Sequence, residues 1–167
     1  MIQNINNFED VYEYTKNMTS KEKGDLFEII TKYVFLIHPM YSHITKNIWL
    51  YNEIPATIKQ KFKLPSKDKG IDLILETKDG YYAIQCKFRT DIYGSVTWTE
   101  LSTFAGQLFV GSFKNAIYVT NTYDVDNEIL KCDKIQCIYG DFFKDLNKDF
   151  FNNVRNIINN KKYDIYK

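Results

Sequence analysis

The chain is poor in residues that staple, break or anchor a polypeptide. Its 167 residues include only three cysteines, three prolines and seven glycines. Cys86, Cys132 and Cys137 are odd in number and lack CxxC spacing, which argues against a disulfide framework or zinc knuckle and leaves buried thiols in a reducing compartment. The longest apolar run, Tyr33 to Ile37, is far too short to span a bilayer. The segment after Met1 lacks the apolar core of a secretory signal. His38 and His43 have no third metal ligand nearby, so helix-end or loop roles are expected for them. Charge of one sign is also missing. The net charge is +1, with Arg89 and Arg155 the only arginines among 22 basic residues, so overall electrostatics neither demand nor exclude a polyanionic partner.

What is present is core-forming material. A composition of 44% hydrophobic and 16% aromatic residues suits one globular domain over residues 1–167 and excludes disorder. Phe8 to Asn17 reads as a short helix. A second helix begins at Thr19, whose spacing to Glu22 fits a capping box. It runs through Leu26, Phe27, Ile30, Tyr33, Val34 and Ile37 at helical spacing and stops before Pro39. Asn47 to Tyr51 reads as a strand, and Pro55 opens a helical segment ending near Phe62. Thr97 and Glu100 repeat the capping-box pattern ahead of Leu101, Phe104, Ala105, Leu108 and Phe109, an amphipathic helix. Ala116 to Thr120 and Ile135 to Tyr139 have the apolar pattern of buried parallel strands, with a crossover helix expected over Asp124 to Lys131. Asp141 is expected to cap one long final helix through Phe143, Leu146, Phe150, Val154 and Ile157. The order implies an α/β fold, a mixed sheet flanked by helices in which an antiparallel hairpin joins parallel strands.

That hairpin is the segment GIDLILETKDGYYAIQCKF, Gly70 to Phe88. With Asp79-Gly80 as a two-residue turn, Lys78 faces Tyr81, Ile74 lies opposite Gln85 and Asp72 opposite Lys87. Period-2 alternation places Asp72, Ile74, Glu76, Ala83, Gln85 and Lys87 on one face, and Ile71, Leu73, Leu75, Ile84, Cys86 and Phe88 on the other. The polar face supplies hard oxygens for a magnesium ion: the Asp72 carboxylate, the Gln85 amide oxygen and the Cys86 backbone carbonyl. Lys87 can orient a water and stabilise developing negative charge, which together make a phosphodiester-hydrolysing site. The plainer alternative is a solvated Asp72–Lys87 ion pair worth a few tenths of a kcal/mol. Glu76, nearer the turn, is expected to be solvated.

Asp72 followed by Gln85-Cys86-Lys87 resembles the D…(D/E/Q)xK signature of the PD-(D/E)xK nucleases, in the glutamine variant of Mrr-like restriction endonucleases. Gly24-Asp25-Leu26-Phe27-Glu28 is similar to the family's first-helix GxxFE pattern, and Leu64 to Asp72 to the approach to its catalytic strand. Trp98 to Phe104, then Ala116 to Asn121, resemble the helix and strand that follow. The resemblance implies a restriction-endonuclease-like fold and a magnesium- or manganese-dependent DNA endonuclease. Asp72, Gln85, the Cys86 carbonyl and Glu28 would hold the metal, with Lys87 completing the catalytic set; by periodicity alone, Glu28 is as readily solvent-facing. Lys59, Lys61, Lys63, Lys67 and Lys69 form a basic stretch leading to the site. Lys67, Lys69, Arg89, Trp98 and Gln107 are the candidate DNA contacts, with Tyr93 nearby, and Asp68 is expected to brace the start of the strand.

Similar segments occur in N-terminal nuclease modules of helicase-containing restriction, phage or viral proteins. The expected partners are therefore DNA, a helicase or methyltransferase module in the same polypeptide or on another chain, and a second copy, with no membrane. The expected setting is the cytoplasm of a bacterial, phage- or virus-infected cell, the nucleus not being excluded. A nuclease fold that only binds nucleic acid and a structure-specific junction resolvase are the rival readings.

Overall fold

The computed structural model describes residues 2–67 and 70–165, the side chains of 161–165 excepted. Expectations for Asp68 and Lys69 lie outside the described residues.

Helix α1 (Phe8–Thr15) leads to α2 (Ser20–Ile37). The capping box at the start of α2 forms as the sequence predicts: Thr19 Oγ1 accepts from the Glu22 N–H at 3.2 Å, and Glu22 Oε2 accepts from the Thr19 N–H at 2.7 Å. The helix stops at His38 because Pro39 follows. His38 Nδ1 then accepts from the Met40 N–H to start the short α3 (Pro39–Ser42), which His43 closes, so both histidines serve helix ends. Strand β1 (Asn47–Leu50) runs into a 3₁₀ turn, Tyr51–Glu53, and α4 (Ala56–Lys61) follows Pro55.

The hairpin is β2 (Leu73–Thr77) and β3 (Gly80–Lys87), antiparallel as expected but in a different register. Thr77 pairs with Gly80 and Leu73 with Ile84, so Lys78-Asp79 is the loop and the pairing is shifted by two residues from Asp79-Gly80. Neither Lys78 nor Asp79 has positive φ; Gly80 takes it, at 130°, after the turn. The Thr77 hydroxyl braces the bend, accepting from the Asp79 N–H and donating to the Gly80 carbonyl. A two-residue shift preserves the faces of the strands, yet it brings Asp72 level with Gln85 rather than Lys87.

Next come β4 (Ser95–Val96), α5 (Trp98–Gly111), β5 (Asn115–Thr120), β6 (Asp124–Val125), α6 (Asn127–Leu130) and β7 (Ile135–Ile138). The expected crossover helix is thus shorter than predicted and follows a two-residue strand. The single final helix is in fact two, α7 (Gly140–Lys144) and α8 (Lys148–Ile165). Asp141 lies inside the first turn of α7, while Asn147 Oδ1 accepts from the Phe150 N–H and restarts the helix.

The main sheet has the order β1-β2-β3-β5-β7, with β3, β5 and β7 parallel; β4 and β6 form a small parallel pair. Leu73, Leu75, Ile84 and Val119 pack with α1, α2, α7 and α8 on one face. Ile74, Ala83, Ala116 and Tyr118 pack with Phe62, Leu101, Phe104 and Leu108 on the other. Ile71 breaks the expected alternation and joins the second group, because the regular ladder begins only at Leu73. Among the described residues no helix is long and apolar enough to cross a membrane.

Candidate active site

Parallel β3 and β5 end together, Lys87 level with Thr120. Antiparallel β2 begins at that same edge of the sheet, which is where open α/β sheets place ligands. Gly70 shapes the approach. It has φ +86°, which strains any side chain, and a Cβ there would stand a tight 3.2 Å from the Phe104 backbone nitrogen. The Asp72 N–H then donates to the Ile84 carbonyl at 2.8 Å. The Asp72 carboxylate accepts from the Cys86 N–H at 2.7 Å, a direct bond into the QxK segment.

Gln85 lies on the α5 face beside Asp72, and its Oε1 is buried without a hydrogen-bond partner among the described residues. An unpaired interior amide oxygen is costly. A cation shared with the Asp72 carboxylate would satisfy it, and both are hard donors of the type magnesium or manganese takes. These residues therefore fit such an ion, although among the described residues no group of three His, Cys, Asp or Glu side chains is arranged to hold one. Lys87 is exposed, and among the described residues no ion pair holds its ammonium.

Glu28 is half-buried rather than solvent-facing, on the α2 face that also buries Thr31 and Phe35. It borders a cleft of about 310 Å³ with Lys21, Asp25, Leu50, Tyr51 and Asn52, at the site end of β1. The Cys86 thiol links the two carboxylates electrostatically. Burial first, then the Asp72 charge, push it well above its ordinary 9.0, with a Thr31 hydrogen bond opposing the shift and Glu28 adding to it. All three cysteines are free and half-buried. Across the sheet, burial raises the Tyr118 phenol, with Arg89 opposing the shift and Asp72 adding to it.

The proposed DNA contacts are more dispersed. Lys67 is exposed beside the segment leading to Gly70, and Trp98 is exposed in the first turn of α5. Arg89 is engaged within the protein: its guanidinium pairs with Glu100, whose other oxygen accepts from the Thr97 N–H and anchors the start of α5. Gln107 is half-buried seven residues beyond Glu100, about 10 Å along the helix from that anchor. Lys59 and Lys61 lie over the rings of Tyr51 and Tyr81, each at 4.7 Å, and Tyr81 is at the turn end of the hairpin. Glu76 is half-buried and held by its neighbours rather than left to solvent alone. It accepts from Asn47 Nδ2 at 2.7 Å and the Tyr81 hydroxyl at 3.3 Å and pairs with Lys46.

The sequence reading missed Asn121. It is 1% exposed and grips the backbone of Arg89 like a peptide: Oδ1 accepts from the Arg89 N–H and Nδ2 donates to the Arg89 carbonyl, both at 2.7 Å. Nδ2 also reaches the Tyr12 hydroxyl at 3.0 Å. The β3–β5 ladder is thereby continued past Lys87 by a side chain. A polar residue directly after an apolar parallel strand was the available signal.

The fold is similar to one solved chain described as the ATP-dependent Type ISP restriction-modification enzyme LlaBIII bound to DNA, with a TM-score of 0.63 and 24% identity over 84% of this chain. At that identity the likeness is one of fold, and the match spans only 8% of the larger chain. No curated protein matches. A family model described as restriction endonuclease, of the Mrr catalytic type, matches residues 36–139, which contain Asp72, Gln85 and Lys87 but not Glu28. The match covers more than half of the chain, and the chain belongs to this restriction endonuclease family.

Proposed function

We propose that the domain is a magnesium- or manganese-dependent DNA endonuclease acting in restriction or DNA processing. The observation that carries this reading is the Asp72 carboxylate bonded to the Cys86 N–H beside the buried Oε1 of Gln85, which has no hydrogen-bond partner among the described residues. A bound divalent ion would neutralise phosphate charge and lower the pKa of a water. Asp72 and Gln85 supply oxygens to hold it, with the Cys86 carbonyl as a backbone donor and Glu28 supporting from α2. Lys87, exposed at the end of β3, orients the attacking water and stabilises charge developing on the phosphate. Lys67 and Trp98, both exposed, serve as DNA contacts, and Lys69, outside the described residues, joins them by its place in the sequence. Arg89 organises the start of α5 as well as contributing positive charge, and Gln107 is the outlying member of the set.

The similar solved chain is an ATP-dependent restriction-modification enzyme. By extension, this domain is one nuclease module, working with a helicase or methyltransferase module in the same polypeptide or on another chain. One such site cuts one strand, so a double-strand break requires two copies or two events.

The test is nicking of supercoiled DNA in magnesium. Asp72→Ala is expected to abolish nicking, and Lys87→Ala to slow it about 10²–10³-fold. DNA affinity is expected to persist in both variants, because binding is spread over many phosphates. Wild-type rates in either variant would overturn the site, and DNA binding without any metal-dependent nicking by the wild type would favour a nuclease fold that only binds.

A further inference from the structure

Tyr93 is 81% exposed, although the backbone around it is tightly held. Its N–H donates to Asp91 Oδ1 at 3.1 Å, and the Gly94 N–H donates to the Asp91 carbonyl at 3.2 Å. The preceding residue is tied across to the end of β5, where the Tyr123 N–H donates to the Ile92 carbonyl at 3.0 Å. Pairing of β4 with β6 closes the other side of the loop. One face of the Tyr93 ring stacks on Tyr123, with centroids 6.2 Å apart and planes at 28°. Tyr123 in turn rests on Gly140, where a Cβ would stand 2.9 Å from its ring carbons and 2.9 Å from the Asn121 carbonyl oxygen. Gly140, Tyr123 and Tyr93 thus form a built stack.

A single exposed aromatic residue is ordinary. A ring carried on a main chain held by this many hydrogen bonds, backed on one side by Tyr123 and otherwise open to solvent, offers a flat ligand a face whose backbone support is already ordered. Its place in the fold identifies the ligand. Tyr93 follows Lys87 by six residues and Tyr123 follows Thr120 by three, so both rings lie beyond the ends of β3 and β5, at the edge that carries Asp72, Gln85 and Lys87. The Asp91 carboxylate, which accepts from the Tyr93 N–H, disfavours a phosphate against the ring, whereas a neutral base face is not repelled. Within a duplex both faces of each base are covered by neighbours, and only edges are open. A ring face can therefore receive a base only where that base has left the stack, at a single-stranded arm, a gap or a flipped nucleotide.

We propose that Tyr93, backed by Tyr123 and Gly140, is a stacking platform for an unpaired nucleobase at the same end of the sheet as the cleavage site. The proposal rests on the reading of the domain as a DNA-acting nuclease and adds a substrate class, DNA carrying an unstacked base. The test is binding by wild type, Tyr93→Ala and Tyr93→Phe, without magnesium, to two fluorescein-labelled DNAs, one fully paired duplex and one with a single-stranded arm containing 2-aminopurine. Tyr93→Ala is expected to weaken binding of the armed DNA about ten-fold, to leave duplex affinity within about two-fold, and to lose the stacking quench of 2-aminopurine. Tyr93→Phe, which keeps the ring, is expected to match wild type. Equal loss on both DNAs, no loss on either, or a phenylalanine variant as weak as alanine would overturn the platform. Nicking in magnesium is scored separately. An active wild type without the Tyr93 pattern removes only this proposal, whereas the Tyr93 pattern without nicking removes only the hydrolytic reading.

Discussion

Gln85 is the residue on which the chemistry of this site turns, because it brings an oxygen without a charge. Its buried Oε1 has no protein partner among the described residues, and the adjacent Asp72 already carries the negative charge. Gln85→Glu keeps side-chain length while placing a second carboxylate beside the first. Two close carboxylates hold a divalent ion more tightly and repel each other without it. The magnesium midpoint for nicking is therefore expected to fall. Without the ion, a buried unpartnered charge is expected to cost at least about 1–3 kcal/mol, or roughly 2–12 °C in Tm. Magnesium should restore that loss. A midpoint and melting temperatures equal to those of wild type would separate Gln85 from the metal.

At the scale of elements, α5 shows what a helical repeat conveys and where it stops. Leu101, Phe104 and Leu108 are buried as their spacing predicts, but Phe109, assigned to the same stripe, is 88% exposed, with Val110 and Trp98 also exposed. Residues 105 and 109 lie just past the edge of the buried arc, and spacing alone does not say how wide that arc is. Phe104→Ala is expected to cost about 3–5 kcal/mol, whereas Phe109→Ser should change stability by less than about 0.5 kcal/mol; urea unfolding of both variants checks the pair. The other elements were legible to a similar depth. Capping residues marked the start of α2, and proline marked its end. The hairpin was plain, but its register was not: a turn that puts glycine after the bend differs from one that puts it inside only by local backbone angles. The break between α7 and α8 went unread because the apolar repeat continues through it, while Asn147 restarts the backbone bonding. Asp72, Gln85 and Lys87 stood out as polar interruptions in strands. Asn121 did not, since its role depends on a strand 32 residues away that only the folded sheet brings near.

For the molecule as a whole, one carboxylate joins three strands. Glu76 on β2 receives the Asn47 amide from β1 and the Tyr81 hydroxyl from β3, with Lys46 nearby. The Asn47 hydrogen bond is the largest cause holding its pKa below the ordinary 4.5. A carboxyl depressed in the folded state contributes stability above its unfolded value, and that contribution is lost as pH falls through the lower folded value. Asn47→Ala is therefore expected to be less stable than wild type at about pH 7, with the gap narrowing as pH falls below 4.5 through the lowered folded value. Thermal melts across that range test it, and a gap independent of pH would assign the loss to packing instead.

The strand order has a consequence at the margins of the sheet. The longest strand, β3, has eight residues and lies in the centre, while β1 and β7 at the two rims have four each. A rim that short offers few unpaired backbone groups for another chain to copy, one of the ways natural sheets avoid edge-to-edge growth. Crowded together, copies of this domain have little template for cross-β aggregation.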